Sequence, residues 1–233
     1  MSSKTIHYIN VNHKQFDDSL VRQSDLDDDR FVYSKCPVFK HKSSRTFVGI
    51  SPIDFKLQVM KSPDGITTIR STNQAILEGD DKHINSPRPV IQLKFPRFVF
   101  WTHEDDIWFD FTDHPMTSLV NNFIAVGGWF NLSNWSRGSS LGLTIVNPSK
   151  PVIIKKGDPL FRMSFHSSNP DDVINLSQEK DPNKIDHIWN EYDRWRKDDL
   201  KIFDTHSTKE LWKSKLFSKT NTTSKCPFSF LFK

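Results

Sequence analysis

Apolar and polar side chains alternate along most of the first 166 residues, as expected when every second side chain of a strand faces a core. The alternating runs are short and recur about every eight to twelve residues, which is typical of a β-sandwich or β-barrel. They lie at residues 5–11, 46–51, 55–61, 66–71, 89–95, 97–101, 106–111, 121–132, 141–147 and 151–165. The pattern therefore predicts a mainly β protein, an antiparallel barrel or sandwich such as a jelly roll.

Proline and glycine mark several junctions between these runs. The Pro-Asp-Gly sequence at 63–65 predicts a hairpin, because proline presets φ and glycine accepts a positive φ. Pro96 has no N–H to offer a ladder, so it predicts an edge strand or a junction between two strands. The Gly-Gly pair at 127–128 predicts a bulge or bend.

Three extended runs end the β-rich part of the chain between residues 143 and 165. The turn at 147–151, Asn-Pro-Ser-Lys-Pro, separates the first run from the second. The turn at 156–159, Lys-Gly-Asp-Pro, leads into the third. Consecutive strands are usually neighbours in space. We therefore expect these three runs to lie side by side and to close a barrel.

The composition along the chain divides it into four segments. Residues 1–30 hold an N-terminal strand and an acidic segment, and residues 31–166 form the β-domain. Residues 167–182 are polar and predict a linker, and residues 183–233 form a C-terminal helical segment with a basic tail.

The C-terminal segment carries an amphipathic pattern. Apolar residues recur there at intervals of three and four, which predicts a helix from Asp181-Pro182 to about residue 203. The stripe consists of Ile185, Ile188, Trp189, Tyr192 and Trp195. A capping box at 207–210 predicts a second short helix reaching residue 217. We expect the stripe to pack on its own domain, since docking an apolar face stabilises most helices, with a partner-binding surface as the alternative.

Composition and charge exclude several classes of protein. The chain has 233 residues and a net charge of +4 without a concentrated basic face, so nucleic-acid binding is not indicated. No apolar run approaches the ~20 residues of a membrane-spanning helix, so no membrane is expected. The two cysteines do not form a disulfide framework, which favours a reducing, cytosolic setting. The 19 Phe and 7 Trp predict a core built from large rings.

The densest polar cluster lies at residues 103–114. On a strand, Asp106, Trp108 and Asp110 share one face, and two carboxylates beside an aromatic ring could hold a ribose hydroxyl or a metal ion. The simpler interpretation, which we favour, is a solvent-facing surface with one exposed tryptophan.

The same cluster offers a second interpretation as a metal site. His103 and Asp105, with His166 placed 63 residues after His103, resemble the facial triad of the Fe(II)/2-oxoglutarate dioxygenases. This resemblance implies Fe2+ and 2-oxoglutarate as cofactors. An arginine that should follow the second histidine is absent, since Arg162 precedes it. The favoured interpretation of the chain requires no cofactor.

The stretch before the closing runs carries a family resemblance. Phe130, Asn131, Trp135 and the Arg137-Gly138 pair, followed by the runs from Leu141 to Phe165, resemble the closing part of the dUTPase and dCTP-deaminase fold. The resemblance covers about 50 residues and implies a dUTPase-like barrel with a nucleotide ligand. It also implies that the segment from Thr117, Thr-Ser-Leu-Val-Asn-Asn, occupies the place of a phosphate-binding turn. The implied ligand-binding residues are Trp129, Asn131, Trp135, Arg137 and Asp158.

Two departures from this family argue against its chemistry. Asn131 stands where the family carries an aspartate that activates water or aligns the base, and an amide cannot accept a proton as a carboxylate does. The glycine-rich arm that covers the nucleotide is also missing from the end of the chain. We therefore expect a binding protein that kept the fold and lost the catalysis, while the question of an enzyme stays open.

A second resemblance concerns the origin of the chain. The block from Lys35 to Leu57 is similar to uncharacterised proteins of tailed phages, particularly marine phages. It implies a phage accessory protein in the host cytoplasm or associated with the virion. We expect a homo-oligomer that binds a nucleotide-type ligand or a host protein, or that acts in assembly. A structural or host-interaction protein working through its helices and tails is the remaining alternative.

Overall fold

The computed structural model describes residues 2–16, 20–26, 35–61, 63, 67–73, 76–78, 90–133 and 137–199. The strands among them are β1 (Ser3–Asn10), β2 (Leu20–Arg22), β3 (Thr46–Ile50), β4 (Phe55–Lys61), β5 (Thr67–Ser71), β6 (Leu77–Glu78), β7 (Val90–Thr102), β8 (Trp108–Asp113), β9 (Phe123–Ala125), β10 (Gly128–Asn131), β11 (Arg137–Ile145), β12 (Val152–Ile154), β13 (Pro159–His166) and β14 (Val173–Gln178). The helices are α1 (Gln23–Leu26), α2 (Pro37–Ser43), α3 (Pro115–Val120) and α4 (Pro182–Asp199).

The described strands form three sheets. Sheet A has the order β14-β1-β7-β11-β9, with β6 also paired to β7. Sheet B has the order β10-β8-β13-β3-β2, and sheet C the order β12-β4-β5. The β1–β14 pair is parallel, and the other described pairs are antiparallel. The prediction of a mainly β chain with a C-terminal helix is confirmed.

Sheets A and B pack against each other through phenylalanine rings. Phe100 of β7 is 1% exposed, and its ring centroid lies 5.6 Å from that of Phe109 on β8 and 5.6 Å from that of Phe165 on β13. Phe109 and Phe165 are themselves 5.3 Å apart. The aromatic composition of the chain therefore supplies the core between the sheets, as the sequence predicts.

The expectation that the last three runs close a barrel side by side is wrong. β11 belongs to sheet A, β12 to sheet C and β13 to sheet B. Alternation determines which side chains of a strand face the core, but it does not determine the neighbouring strand. The Asn122 side chain donates to the carbonyls of Asn147 and Lys150, both at 2.9 Å, and so holds the turn where the chain leaves sheet A.

The expected junction at Pro96 is also wrong, because β7 runs continuously through it. The ladder between β7 and β11 shifts register between Ser140, which pairs with Arg97, and Gly142, which pairs with Gln92. Pro96 lies inside this interruption. Its missing N–H therefore removes no ladder hydrogen bond, and one strand can include it.

The segment expected as a linker, residues 167–182, contains β14. This strand pairs with β1 from Ser3 opposite Val173 to Tyr8 opposite Gln178. The predicted N-terminal strand is present as β1, and it lies between β14 and β7 within sheet A. β14 is an edge strand with one buried side chain, Ile174, and one partly buried against the core, Leu176, so its apolar alternation is too short to reveal a strand.

Helix α4 docks on the outer face of sheet A. Ile185, Ile188 and Tyr192 are buried there against Ile9 of β1 and Val99 of β7. The helix begins at Pro182, and Asp181 accepts a hydrogen bond from the Asn183 amide at 3.0 Å, which is the predicted cap. Packing of the stripe on its own domain is thus confirmed for Ile185, Ile188 and Tyr192. The predicted second helix lies outside the described residues.

Gly138 at the start of β11 allows this docking. A Cβ atom at this position would lie 2.6 Å from the Cζ atom of Tyr192, closer than real Cβ contacts. The phenol ring of α4 therefore lies directly on the glycine backbone. None of the helices among the described residues is long and apolar enough to cross a membrane.

Candidate functional site

Sheet B presents five side chains on the face directed away from the core. We call them the tryptophan face: Trp108, Asp110, Trp129, Asn131 and His166. Trp129 of β10 lies opposite Asp110 of β8, and Asn131 of β10 lies opposite Trp108, which in turn pairs with His166 of β13. Three neighbouring strands thus bring the five residues together.

Alternation along the strands puts these residues on the outer side. On β8, Phe109 and Phe111 are buried in the core, so Trp108 and Asp110 between them face outward. On β10, the ring of Phe130 lies 4.9 Å from that of Phe109 and so points inward. The predicted common face is confirmed for Trp108 and Asp110, whereas Asp106, expected on the same face, lies in the turn before β8.

The two tryptophans form the apolar part of the tryptophan face. Their ring centroids are 5.0 Å apart at an interplanar angle of 36°. Trp129 is 70% exposed, which is unusual for so large an apolar side chain. Trp108 is half-buried, and its Nε1 donates to Oδ1 of Asp106 at 3.3 Å. One ring is therefore held in place, while the other presents most of its surface to solvent.

Asp106 links the tryptophan face to the loop that follows β13. It has a φ of 61°, and its Oδ2 accepts a hydrogen bond from the Ser168 amide at 2.8 Å. Hydrogen bonds from Ser168 hold the pKa of the Asp106 carboxyl below its ordinary value. The carboxylate is therefore ionised at neutral pH and fixes the Trp108 ring.

His166 is the histidine of the tryptophan face. Partial desolvation lowers its pKa most strongly, and the positive charges of Arg45 and Lys42 lower it further, whereas Asp110 raises it. His41 also lowers it. The net effect lowers the pKa of His166 from its ordinary value, so the ring is mainly neutral at pH 7. A neutral imidazole offers one donor and one acceptor.

Asp158, predicted as a ligand residue, lies elsewhere and organises a turn. Its Oδ2 accepts from the Lys155 amide at 2.8 Å, and its carbonyl accepts from the Ser51 amide at 2.9 Å. The row through Trp129 crosses β13 at Ser164, so Asp158 is separated from it by roughly 20 Å of extended chain.

The structure describes three of the four remaining predicted ligand residues, and they lie in two different sheets. Arg137 begins β11 and pairs with Phe100 in sheet A, whereas Trp129 and Asn131 belong to sheet B. Trp135 lies outside the described residues. Of the five predicted residues, the structure brings Trp129 and Asn131 together, and it adds Trp108, Asp110 and His166 to them.

The three residues of the predicted iron site lie in different surroundings. The ring centroid of His103 is 5.8 Å from that of His7 on sheet A, whereas His166 pairs with Trp108 on sheet B. Asp105 is exposed in the turn that leads from β7 to β8. Within the described part of the chain, no group of three or more His, Cys, Asp or Glu residues is placed to hold a metal ion.

In the segment at 117–122, where the resemblance implies a phosphate-binding turn, residues 117–120 belong to α3 and residues 121–122 follow it. Thr117 is fully buried, and its Oγ1 hydrogen-bonds with Oδ1 of Asp113 and with the carbonyl of His114, both at 2.6 Å. These contacts give Thr117 a structural role.

Sequence reasoning missed the contact between the rings of Trp108 and Trp129. The two residues lie on different strands, and only the register of β8 with β10 brings them together.

Comparison with known proteins yields structures of dUTPases. No protein-family model matches the chain, and no curated protein matches it in sequence. EIAV dUTPase is 11% identical with a TM-score of 0.37, over 76% of this chain and 98% of that chain. A dUTPase of Staphylococcus bacteriophage 80alpha, with dUpNHpp, is 8% identical with a TM-score of 0.31, over 59% and 76%. The dUTPase from phage phi11 of S. aureus is 8% identical with a TM-score of 0.32, over 70% and 95%. At these TM-scores the similarities carry no argument about this chain.

Proposed function

We propose that this chain is a phage accessory protein that binds a nucleotide-type ligand on the tryptophan face without hydrolysing it. The observation that carries the proposal is the exposed ring of Trp129 beside the fixed ring of Trp108. Every nucleobase has a π-face, and stacking on an aromatic side chain is worth about 1–3 kcal/mol per base. A ring that is 70% exposed therefore suits a base better than it suits water.

The polar members of the tryptophan face suit the other parts of a nucleotide. Asn131 carries an amide, which offers both donors and an acceptor for the edge of a base. Asp110, directly opposite Trp129, offers carboxylate oxygens to ribose hydroxyls. Lys42 is near enough to lower the pKa of His166, so a cation is at hand for a phosphate.

The expectation of no hydrolysis rests on Asn131, which stands where the dUTPase resemblance implies the aspartate that activates water. Activation of a water molecule requires a group that accepts its proton, and an amide is not such a base. His166 is a neutral imidazole on the same face, but it lies across β8 from Asn131. We expect incubation of the chain with dUTP and Mg2+ to leave the triphosphate intact when the products are separated by ion-exchange chromatography. Pyrophosphate release at an enzymatic rate contradicts the non-catalytic part of the proposal.

Replacement of Trp129 by alanine tests the binding part. Loss of one stacking platform is expected to weaken nucleotide binding by about tenfold or more, given about 1–3 kcal/mol per stacked base. Isothermal titration with dUMP and dUTP measures the dissociation constant. Ile153→Ala is the matched control, because Ile153 is also exposed, at 53%, but belongs to β12 of sheet C. Equal affinity of wild type and Trp129→Ala, or no binding of either nucleotide at millimolar concentration, contradicts the proposal.

The homo-oligomer predicted from the sequence is part of this proposal. Sizing chromatography with light scattering on the full chain measures its mass. A mass of one 27.2 kDa chain at micromolar concentration contradicts this part of the proposal and leaves the nucleotide site unaffected.

A further inference from the structure

Asp110 is the direct neighbour of the exposed Trp129 across the ladder of sheet B. Asp110 of β8 pairs with Trp129 of β10, and both side chains lie on the outward face of the sheet. Residues directly opposite each other in an antiparallel pair have Cβ atoms about 4.5–5.5 Å apart. A molecule stacked on the Trp129 ring therefore lies within reach of the Asp110 carboxylate.

The oxygens of the Asp110 carboxylate are open to a ligand. Asp110 is half-buried, and within the part of the chain that the structure describes its oxygens accept no hydrogen bond and are not enclosed by protein. The aspartates on either side of it are in use. Asp106 accepts from the Trp108 ring at 3.3 Å, and Asp113 accepts from the Thr117 hydroxyl at 2.6 Å. Asp110 is thus the aspartate of this region whose acceptors are left for another molecule.

The neighbouring imidazole does not neutralise this carboxylate. Asp110 raises the pKa of His166, but partial desolvation and nearby positive charges lower that pKa more strongly. The His166 ring is therefore mainly neutral at pH 7. An ionised carboxylate has two acceptor oxygens and no donor, so the ligand group that suits Asp110 is one that only donates.

Among the parts of a nucleotide, the ribose suits such an acceptor best. A phosphate is negatively charged and is repelled by a carboxylate. The edges of most bases place a carbonyl oxygen or a ring nitrogen beside each donor, and these acceptors also repel a carboxylate. The 2′- and 3′-hydroxyls of ribose lie on adjacent carbons on the same side of the ring, and both can donate. Acidic residues recognise ribose hydroxyls in this way in dinucleotide-binding sites.

We propose that Asp110 makes the tryptophan face selective for ribonucleotides over 2′-deoxyribonucleotides. The base stacks on Trp129, and the Asp110 carboxylate accepts hydrogen bonds from the 2′- and 3′-hydroxyls. This inference rests on the proposed nucleotide site and names the sugar that the site takes. A deoxyribonucleotide still stacks on Trp129 and keeps its 3′-hydroxyl, but it leaves one charged oxygen without a donor, so it binds more weakly.

Matched pairs of nucleotides test the selectivity on the full chain. Isothermal titration gives the dissociation constants of UMP and dUMP, and of GMP and dGMP. We expect the ribonucleotide of each pair to bind about tenfold more tightly, as a hydrogen bond to a charged group provides. Equal constants within both pairs overturn the ribose selectivity and leave the nucleotide site intact. A preference for both guanine nucleotides, with no difference between GMP and dGMP, also overturns it, because Asp110 then reads the two adjacent donors on the edge of guanine. No binding of any of the four at millimolar concentration overturns the nucleotide site itself, and the selectivity with it.

A change in the ligand tests the same hydrogen bond without a change in the protein. In 2′-fluoro-dUMP, the 2′-hydroxyl is replaced by a small substituent that cannot donate. We expect this compound to bind wild type no more tightly than dUMP does. Binding as tight as that of UMP overturns the proposal, because the 2′-hydroxyl then acts through its size and not as a donor.

Asp110→Asn assigns the selectivity to its residue. The amide has the size of the carboxylate, but it lacks the charge and one of the two acceptors. The ratio of the dUMP to the UMP dissociation constant is expected to fall from about ten to about two or less. Asp186→Asn is the matched control, because Asp186 is an exposed aspartate of α4 that pairs with Lys14 at 2.6 Å, and α4 lies on sheet A. Its ratio is expected to stay at about ten. An unchanged ratio in Asp110→Asn overturns the proposal, even if wild type prefers UMP.

Discussion

Phe100→Ala is expected to lower the free energy of unfolding by about 3–5 kcal/mol, because it removes a fully buried ring between the two main sheets. Phe100 contacts Phe109 and Phe165 of sheet B, and its ring also stacks on Tyr8 of β1 at 5.8 Å between centroids. These neighbours belong to three strands in two sheets, so they cannot all move inward to fill the cavity. Urea unfolding followed by circular dichroism measures the loss.

Val90→Ala on the same strand is the matched control for this prediction. Val90 is 41% exposed at the start of β7, so its truncation is expected to change the stability by no more than about 0.5 kcal/mol. A loss below about 1 kcal/mol for Phe100→Ala contradicts the packing of sheets A and B through this ring.

The faces of the strands were predictable from the sequence, and their neighbours were not. Alternation along residues 106–111 predicts that Trp108 and Asp110 share a face, and they do. Alternation says nothing about which strand lies on either side. The three closing runs were expected to be neighbours, and they lie in three different sheets. Register and pairing depend on contacts between segments far apart in sequence, such as β1 with β14.

Prolines and polar edge strands limited the prediction for a different reason. A proline interrupts a strand only where the ladder requires an N–H donor. The register shift between β7 and β11 lies opposite Pro96, so no donor is required there. β14 gains its place from backbone hydrogen bonds to β1, while Ile174 and the partly buried Leu176 are the side chains that reach the core. Local sequence carries no signal for either case.

The candidate site was predictable to a similar extent. Trp129 and Asn131 were named from a resemblance, and the structure adds Trp108, Asp110 and His166 through strand register. Asp158 matched a motif, but its carboxylate stabilises a turn, which is a common use of aspartate next to glycine.

Gly138→Ala separates a packing role for the Arg-Gly pair from a ligand-binding one. The added Cβ would lie 2.6 Å from Cζ and Oη of Tyr192, so α4 must shift on sheet A. Overpacking of this kind is expected to cost about 1–3 kcal/mol of stability. Gly128→Ala is the matched control, since a Cβ at Gly128 would meet no atom within 4 Å, and its effect is expected to stay within about 0.5 kcal/mol.

A second change tests whether Tyr192 causes the loss. In Tyr192→Leu, a smaller side chain lies over the glycine, so adding Gly138→Ala to this background is expected to cost less than adding it to the wild type. Urea unfolding of the four chains of this cycle gives the coupling energy. Contacts of this kind couple by about 0.5–3 kcal/mol, so a coupling near zero contradicts the packing role. If Gly138→Ala leaves the stability unchanged and abolishes nucleotide binding, the glycine serves the ligand and its packing role is contradicted.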